Sequence, residues 1–301
     1  MTQLPLSGTI TAIVTPFTPD GETVDVDALD ALVEAQIAGG VSALVPCGTT
    51  GESPTLTEAE AGVVVQRVVA AARGRVPVIA GTGSFSTKKT IAASRAALAA
   101  GATGVMVVMP YYSKPSQDGM REHTLAVARG ISGPIVLYNV PGRTASDLSA
   151  ETTERICAAA PNVVAIKDAS GNVLRCQELA RRLGDRLTIL CGDDALTVAM
   201  MALGAQGVIS VTSNVLPREV SAVTRRFLAG DLAGARAAHL ALLEMHGLMF
   251  VEPSPAPAKA ALAAMGRMSD AVRQPLLPAG EATRQQLAEA MKRIETRREA
   301  W

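Results

Sequence analysis

Short runs of Val, Ile, Ala and Leu alternate with helix-length stretches eight times along this chain of 301 residues. The apolar runs occupy residues 9–16, 43–47, 76–81, 104–110, 134–140, 163–167, 187–192 and 207–212. They are continuously apolar, as expected of strands covered on both faces within a parallel sheet. The stretches between them carry helix signals. Residues 25–38 place Val26, Leu29, Val33 and Ile37 on one helical face. Thr57, followed by Glu58 and Glu60, is a predicted N-cap with acid in the first turn. Gly101 and Gly184 follow 86–100 and 175–183 as candidate C-cap glycines. Eight strand–helix units predict closure into a barrel, because closure at eight strands leaves no sheet edge. The expected fold class is α/β, a (β/α)8 TIM barrel with a C-terminal helical extension. An open Rossmann-like sheet would need G-x-G-x-x-G after the first strand; that strand instead leads into Thr15-Pro16-Phe17-Thr18-Pro19.

Beyond residue 230 the pattern is helical throughout, at 231–249, 257–265 and 280–299, with a proline-rich break at 252–257. The chain is therefore divided into a catalytic barrel, residues 1–230, and a helical extension, residues 231–301. An apolar content of 48% suits a large core, and barrels of this kind use about 250 residues as one domain. Zero net charge offers no attraction for nucleic acid or an anionic membrane. The basic residues are dispersed, with only pairs such as Arg297-Arg298 adjacent. No apolar stretch approaches the roughly 20 residues of a membrane-spanning helix. Met1-Thr2-Gln3-Leu4-Pro5 lacks the basic-then-apolar order of a signal peptide. Cys47, Cys157, Cys176 and Cys191 are too far apart for zinc or redox pairs, so a reduced, cytoplasmic protein is expected. His239 and His246 share a helix face without a carboxylate cluster, which argues against a metal site.

In such barrels chemistry sits at the C-terminal ends of the strands. Lys167 closes the apolar run Val163-Val164-Ala165-Ile166. Desolvation there disfavours the ammonium and leaves neutral amine to attack a carbonyl. The other lysines, Lys88, Lys89, Lys114, Lys259 and Lys292, lie in a turn, a loop or helix-like stretches. The second strand ends in Gly48-Thr49-Thr50-Gly51-Glu52-Ser53, whose glycines and hydroxyls can approach an anion closely. All 3 tyrosines follow strands: Tyr111 and Tyr112 after the fourth, Tyr138 at the end of the fifth. Their hydroxyls can relay protons. Arg143, in Pro141-Gly142-Arg143-Thr144, offers a planar fork for a carboxylate. A lysine, a tyrosine, paired threonines and an arginine together fit covalent imine chemistry on a keto acid, with no metal or organic cofactor.

These residues resemble the dihydrodipicolinate synthase family, within the pyruvate-dependent class I aldolases. The resemblance runs from about Gly8 into the C-terminal helices. It rests on Gly48 through Ser53, Tyr138 through Thr144 and Ile166 through Asn172, with 110–117 and 207–214 in support. It implies that Lys167 forms a Schiff base with pyruvate. It implies a proton relay of Thr50, Tyr138 and Tyr112, with Tyr112 reaching in from a neighbouring subunit. Thr49 and Thr50 would hold the pyruvate carboxylate, Arg143 that of aspartate semialdehyde, and Gly192 and Ile209 would give backbone contacts. The family's usual assembly is a homotetramer, a dimer of dimers.

Two other readings compete. A sister aldolase would take a 2-keto-3-deoxy sugar acid or 4-hydroxy-2-oxoglutarate; Arg143 directly after Pro141-Gly142 favours the synthase. A non-catalytic binding protein on the same scaffold would be expected to lack the lysine or a relay residue, and none is missing. Where lysine-inhibited members carry polar or acidic residues, this chain has Pro54, Glu58, Ala61, Phe85 and Lys89. A cation at Lys89 repels the lysine ammonium, so weak or absent feedback inhibition is expected.

Overall fold

The computed structural model describes residues 6–296. The N-terminal pentapeptide, the Arg297-Arg298 pair and the end of the last expected helix lie outside the described residues. Eight parallel strands form one sheet: β1 (Gly8–Ala12), β2 (Ala43–Val45), β3 (Ile79–Gly81), β4 (Gly104–Val108), β5 (Ile135–Asn139), β6 (Val163–Asp168), β7 (Thr188–Cys191) and β8 (Gly207–Ser210). Their order is β2-β1-β8-β7-β6-β5-β4-β3, and a parallel bridge from Leu44 to Val78 joins the two ends. The sheet is thus a barrel, as the eightfold alternation requires.

The helices that follow the strands are α1 (Val26–Ala38), α2 (Glu58–Ala72), α3 (Thr87–Ala99), α4 (Gln117–Gly130), α5 (Pro141–Thr144), α6 (Ala150–Ala159), α7 (Val173–Leu183), α8 (Thr197–Ala202) and α9 (Pro217–Leu228). Three more follow: α10 (Leu232–Leu248), α11 (Ala256–Ala264) and α12 (Glu281–Glu295). Their starts obey local chemistry. Asp25 caps α1 by accepting from Ala28 N. Thr57 caps α2 in a full capping box with Glu60. Gly184 ends α7, while α3 is capped by Ala100 and Gly101 follows it at φ +97°. The four-residue α5, directly after β5, left no periodicity to read in the sequence.

Two apolar layers result. The barrel interior is filled by Ile10, Val45, Ile79, Met106, Val136, Ala165, Leu190, Ile209 and their neighbours. A larger layer lies between the strands and the helices, and it takes in Leu242, Met245, Ala258 and Leu262 from the C-terminal helices. Helix α10 packs on α9, and α12 packs on both α10 and α11. Among the described residues no helix is long and apolar enough to cross a membrane.

Candidate active site

Alternation along β6 decides which way its last residues face. Ala165 lies in the barrel interior, so Lys167, two residues on, lies there as well. Its neighbours in register are Tyr138 on β5 and Leu190 on β7. Lys167 and Tyr138 are each only 5% exposed, and the lysine Nζ sits 4.4 Å from the centre of the tyrosine ring. Among the described residues no carboxylate pairs with this amine and no acceptor bonds it. Asp168, the adjacent acid, faces the other way. It accepts from Ser170 N at 3.0 Å and from Asn139 Nδ2 at 3.5 Å, and burial raises its pKa.

The hydroxyl loop after β2 arches over the same interior. A Cβ on Gly48 would touch Met106 Cε of the barrel filling at 3.5 Å. Gly51 lies flat on the chain below it, where a Cβ would stand 3.1 Å from Cys47 N and 3.2 Å from Ile13 O. The loop is closed by Gly51 N to Gly48 O, 3.1 Å, and Glu52 N to Thr49 O, 3.0 Å. Thr15, at the end of the first apolar run, donates to Gly51 O at 2.8 Å. Cys47 and Glu52 flank the loop at φ 55° and 54°, a left-handed conformation that costs energy without glycine. Thr50 is buried and Thr49 half-buried, and neither hydroxyl bonds any described residue. Burial pushes the neighbouring Cys47 thiol up to about 12, which removes it as a nucleophile at neutral pH.

Gly192 and Ile209 complete the floor. Gly192 N donates to Asp168 O at 2.8 Å, and a Cβ there would come within 2.6 Å of Ala169 Cβ. Ile209 is buried in the interior filling.

Lys167, Tyr138, Thr50, Gly192 and Ile209 are therefore gathered at one end of the barrel, whereas Tyr112 and Arg143 stand apart. Tyr112 is 92% exposed and left-handed at φ 71°, with nothing covering it among the described residues. Its neighbour Tyr111 packs edge-on against Phe85 at 5.5 Å. Arg143 is exposed on α5 and forms no ion pair among the described residues. Its turn is held by Thr144 Oγ1, which donates to Ser146 O at 2.8 Å, and by Ser146 Oγ, which donates to Pro110 O at 2.8 Å. The last bond ties the arginine turn to the segment bearing Tyr112.

Sequence reasoning missed the supporting polar residues. Asp194 accepts from Ser210 Oγ and from Val211 N at 2.8 Å, fixing the end of β8. Asn214 accepts from Val14 N at 3.0 Å and donates to Ala12 O at 2.8 Å. Glu52 and Lys259 form an ion pair at 2.5 Å, each side chain 0% exposed. The signal for Lys259 was available: it stands alone among Pro, Ala and Leu from 255 to 264.

With this geometry established, three comparisons place the chain among known proteins. The model of the dihydrodipicolinate synthetase family matches residues 5–294. The 4-hydroxy-tetrahydrodipicolinate synthase of Sorangium cellulosum (strain So ce56) is 87% identical over 300 residues, covering 100% of both chains. The structure of the 4-hydroxy-tetrahydrodipicolinate synthase from Methylacidiphilum fumariolicum SolV superposes with a TM-score of 0.95 at 38% identity, over 98% of this chain and 99% of that one. The chloride-inhibited dihydrodipicolinate synthase from Acinetobacter baumannii, complexed with pyruvate, gives a TM-score of 0.93 at 40% identity, over 96% and 99%. The chain belongs to the dihydrodipicolinate synthetase family.

Proposed function

We propose that this member of the dihydrodipicolinate synthetase family is a lyase that condenses pyruvate with aspartate semialdehyde to give 4-hydroxy-tetrahydrodipicolinate, on the route to diaminopimelate and lysine. The Sorangium relative of the same name, 87% identical, supports the activity. The pyruvate complex of the Acinetobacter protein supports the first substrate. The observation that carries the mechanism is a buried amine, Lys167, resting on Tyr138 and paired with no carboxylate among the described residues.

In this reading the Lys167 amine adds to C2 of pyruvate. The carbinolamine loses water to give a protonated imine, and loss of a C3 proton gives the enamine. The enamine carbon attacks the semialdehyde carbonyl, and the new alkoxide takes a proton. The amino group of the added portion then displaces Lys167 from C2, closing the ring and freeing the enzyme. Thr49 and Thr50 hold the pyruvate carboxylate. Thr50, Tyr138 and Tyr112 pass the protons. Gly192 and Ile209 bound the pyruvate from the floor. Arg143 binds the semialdehyde carboxylate as a charge-assisted fork. The protonated imine is itself the electron sink, so the chemistry calls for no metal or organic cofactor.

Tyr112 acts in this scheme on a neighbouring protomer. Its exposure and its left-handed backbone support a role outside its own chain. The assembly proposed is a homotetramer built as a dimer of dimers, in the cytoplasm. Turnover tests the substrate. Aspartate semialdehyde with pyruvate is expected to give far higher kcat/KM than the cleavage of 2-keto-3-deoxy sugar acids or 4-hydroxy-2-oxoglutarate. The reverse order would assign the chain to a sister aldolase.

A further inference from the structure

The carboxylate of Glu52, at the end of the hydroxyl loop, enters a closed polar knot. Its Oε1 meets Lys259 Nζ of α11 at 2.5 Å, and its Oε2 accepts from Arg273 N at 2.9 Å. Lys259 Nζ also donates to Ala271 O at 2.8 Å. The ring of Phe17, fully buried after β1, contacts both cations: Lys259 Nζ is 4.1 Å and Arg273 Cζ 4.3 Å from its centre. Arg273 reaches on to Gly21 O at 2.9 Å, Glu22 O at 2.7 Å, Thr55 O at 3.1 Å and the Glu60 carboxylate. One carboxylate of the hydroxyl loop is thereby gripped by two segments more than 200 positions further along the chain.

A charge pair removed from water is a costly way to hold helices together, since apolar residues of the same volume do so at least as well. What the pair supplies is direction. Glu52 donates its own N–H to Thr49 O, closing the turn that carries both threonines, so fixing the Glu52 side chain fixes that turn. The backbone there is left-handed at Glu52, a conformation that persists only where its surroundings hold it. Burial lowers the Lys259 ammonium to about 8, with Glu52 opposing the fall.

We infer that Glu52 and Lys259, with Arg273, are positioning residues for the pyruvate-binding loop, so that the C-terminal helices set the placement of Thr49 and Thr50. The inference rests on the proposed imine chemistry for its kinetic readout. Its structural readout is independent of that chemistry.

The test compares the wild type with Lys259→Met, Glu52→Gln and the double variant, in the full-length protein. Two quantities are read: the rate of borohydride-trapped pyruvate adduct formation per folded site, and the hydrogen–deuterium exchange of residues 48–53. In Lys259→Met the buried Glu52 carboxylate loses its partner, and the loop shifts to solvate it. Displacements of about 1 Å cost on the order of tenfold to a hundredfold in rate. The expected result is adduct formation at least roughly tenfold slower, with a raised pyruvate KM, an unchanged semialdehyde KM and faster exchange in 48–53 than in the strands. The double variant leaves no stranded charge but also no pair to aim the loop, so it is expected to remain slow; recovery of the wild-type rate in it would overturn the inference. Glu52→Gln gives the same comparison if Lys259→Met does not fold. A lowered Tm with wild-type adduct formation and unchanged loop exchange would overturn the inference and leave the pair as packing. Absence of any adduct in the wild type would instead sink the imine reading, and loop exchange alone would then decide the inference.

Discussion

At the scale of single residues, the site separates into groups that a sequence can announce and groups it cannot. Lys167 and Tyr138 were legible because each breaks an apolar run at its end, and Thr50 because it stands in a loop of glycines and hydroxyls directly after one. Asp194 and Glu52 were not, because a carboxylate in a loop reads as solvated until the fold shows it buried against Ser210 or Lys259. Arg143 forms no ion pair among the described residues, which supports its proposed role on a substrate carboxylate. Arg143→Ala is expected to remove about 2 kcal/mol of binding to the semialdehyde, roughly 30-fold in kcat/KM, with the pyruvate adduct intact. Equal loss of both steps would show that Arg143 serves the fold instead. Gly192 makes a sharper steric case. An alanine there would meet Ala169 Cβ at 2.6 Å, so Gly192→Ala is expected to cost about 1–3 kcal/mol and to slow adduct formation, since Ala169 follows Lys167 and Asp168. Thermal unfolding and trapping of the same variant measure both.

At the scale of elements, each expected strand run contains a strand, because buried parallel strands carry an apolar signal that needs no partner to be read. Ends were less visible: the run 9–16 pairs as a strand only over Gly8–Ala12, and the rest leads into the loop whose Thr15 holds Gly51. Helix α2 shows a local signal kept intact. Thr57 N donates to Glu60 Oε2 at 2.8 Å, and Glu60 N donates back to Thr57 Oγ1 at 3.2 Å. Arg273 adds a tertiary bond that holds the Glu60 carboxyl near 2. Thr57→Ala is expected to lower stability by about 1 kcal/mol, a fall in Tm of about 2 °C. An unchanged Tm would mean that Arg273 alone secures the helix start. Helix α11 shows the opposite case: its lysine was read only as part of a helix-like stretch, and the packing of the C-terminal helices against the barrel makes it the partner of Glu52.

At the scale of the whole molecule, two properties of the folded chain can be measured without touching the site. His123, His239 and His246 are buried, and burial holds each below its ordinary imidazole value, with Asp194 partly opposing this at the last two. A folded-state value below the unfolded one means that the unfolded chain binds more protons. Stability is then full above the unfolded value of about 6.5 and is lost as pH falls through the folded values. Tm is therefore expected to decline as pH is lowered from about 7 towards 5, whereas a flat profile over that range would contradict the assignment. Lysine is expected to inhibit weakly or not at all, because Lys89 is an exposed cation on α3 and Phe85 is an exposed apolar ring before it. Half-inhibition at sub-millimolar lysine would refute this. The central claim is that the barrel places one uncompensated amine at its mouth for pyruvate. It is tested most directly by the intact mass of the protein after borohydride reduction with pyruvate, followed by peptide mapping. The account requires one reduced pyruvyl group per chain, on Lys167, and none in Lys167→Ala. An unmodified wild-type chain, or an adduct on another lysine, would contradict it.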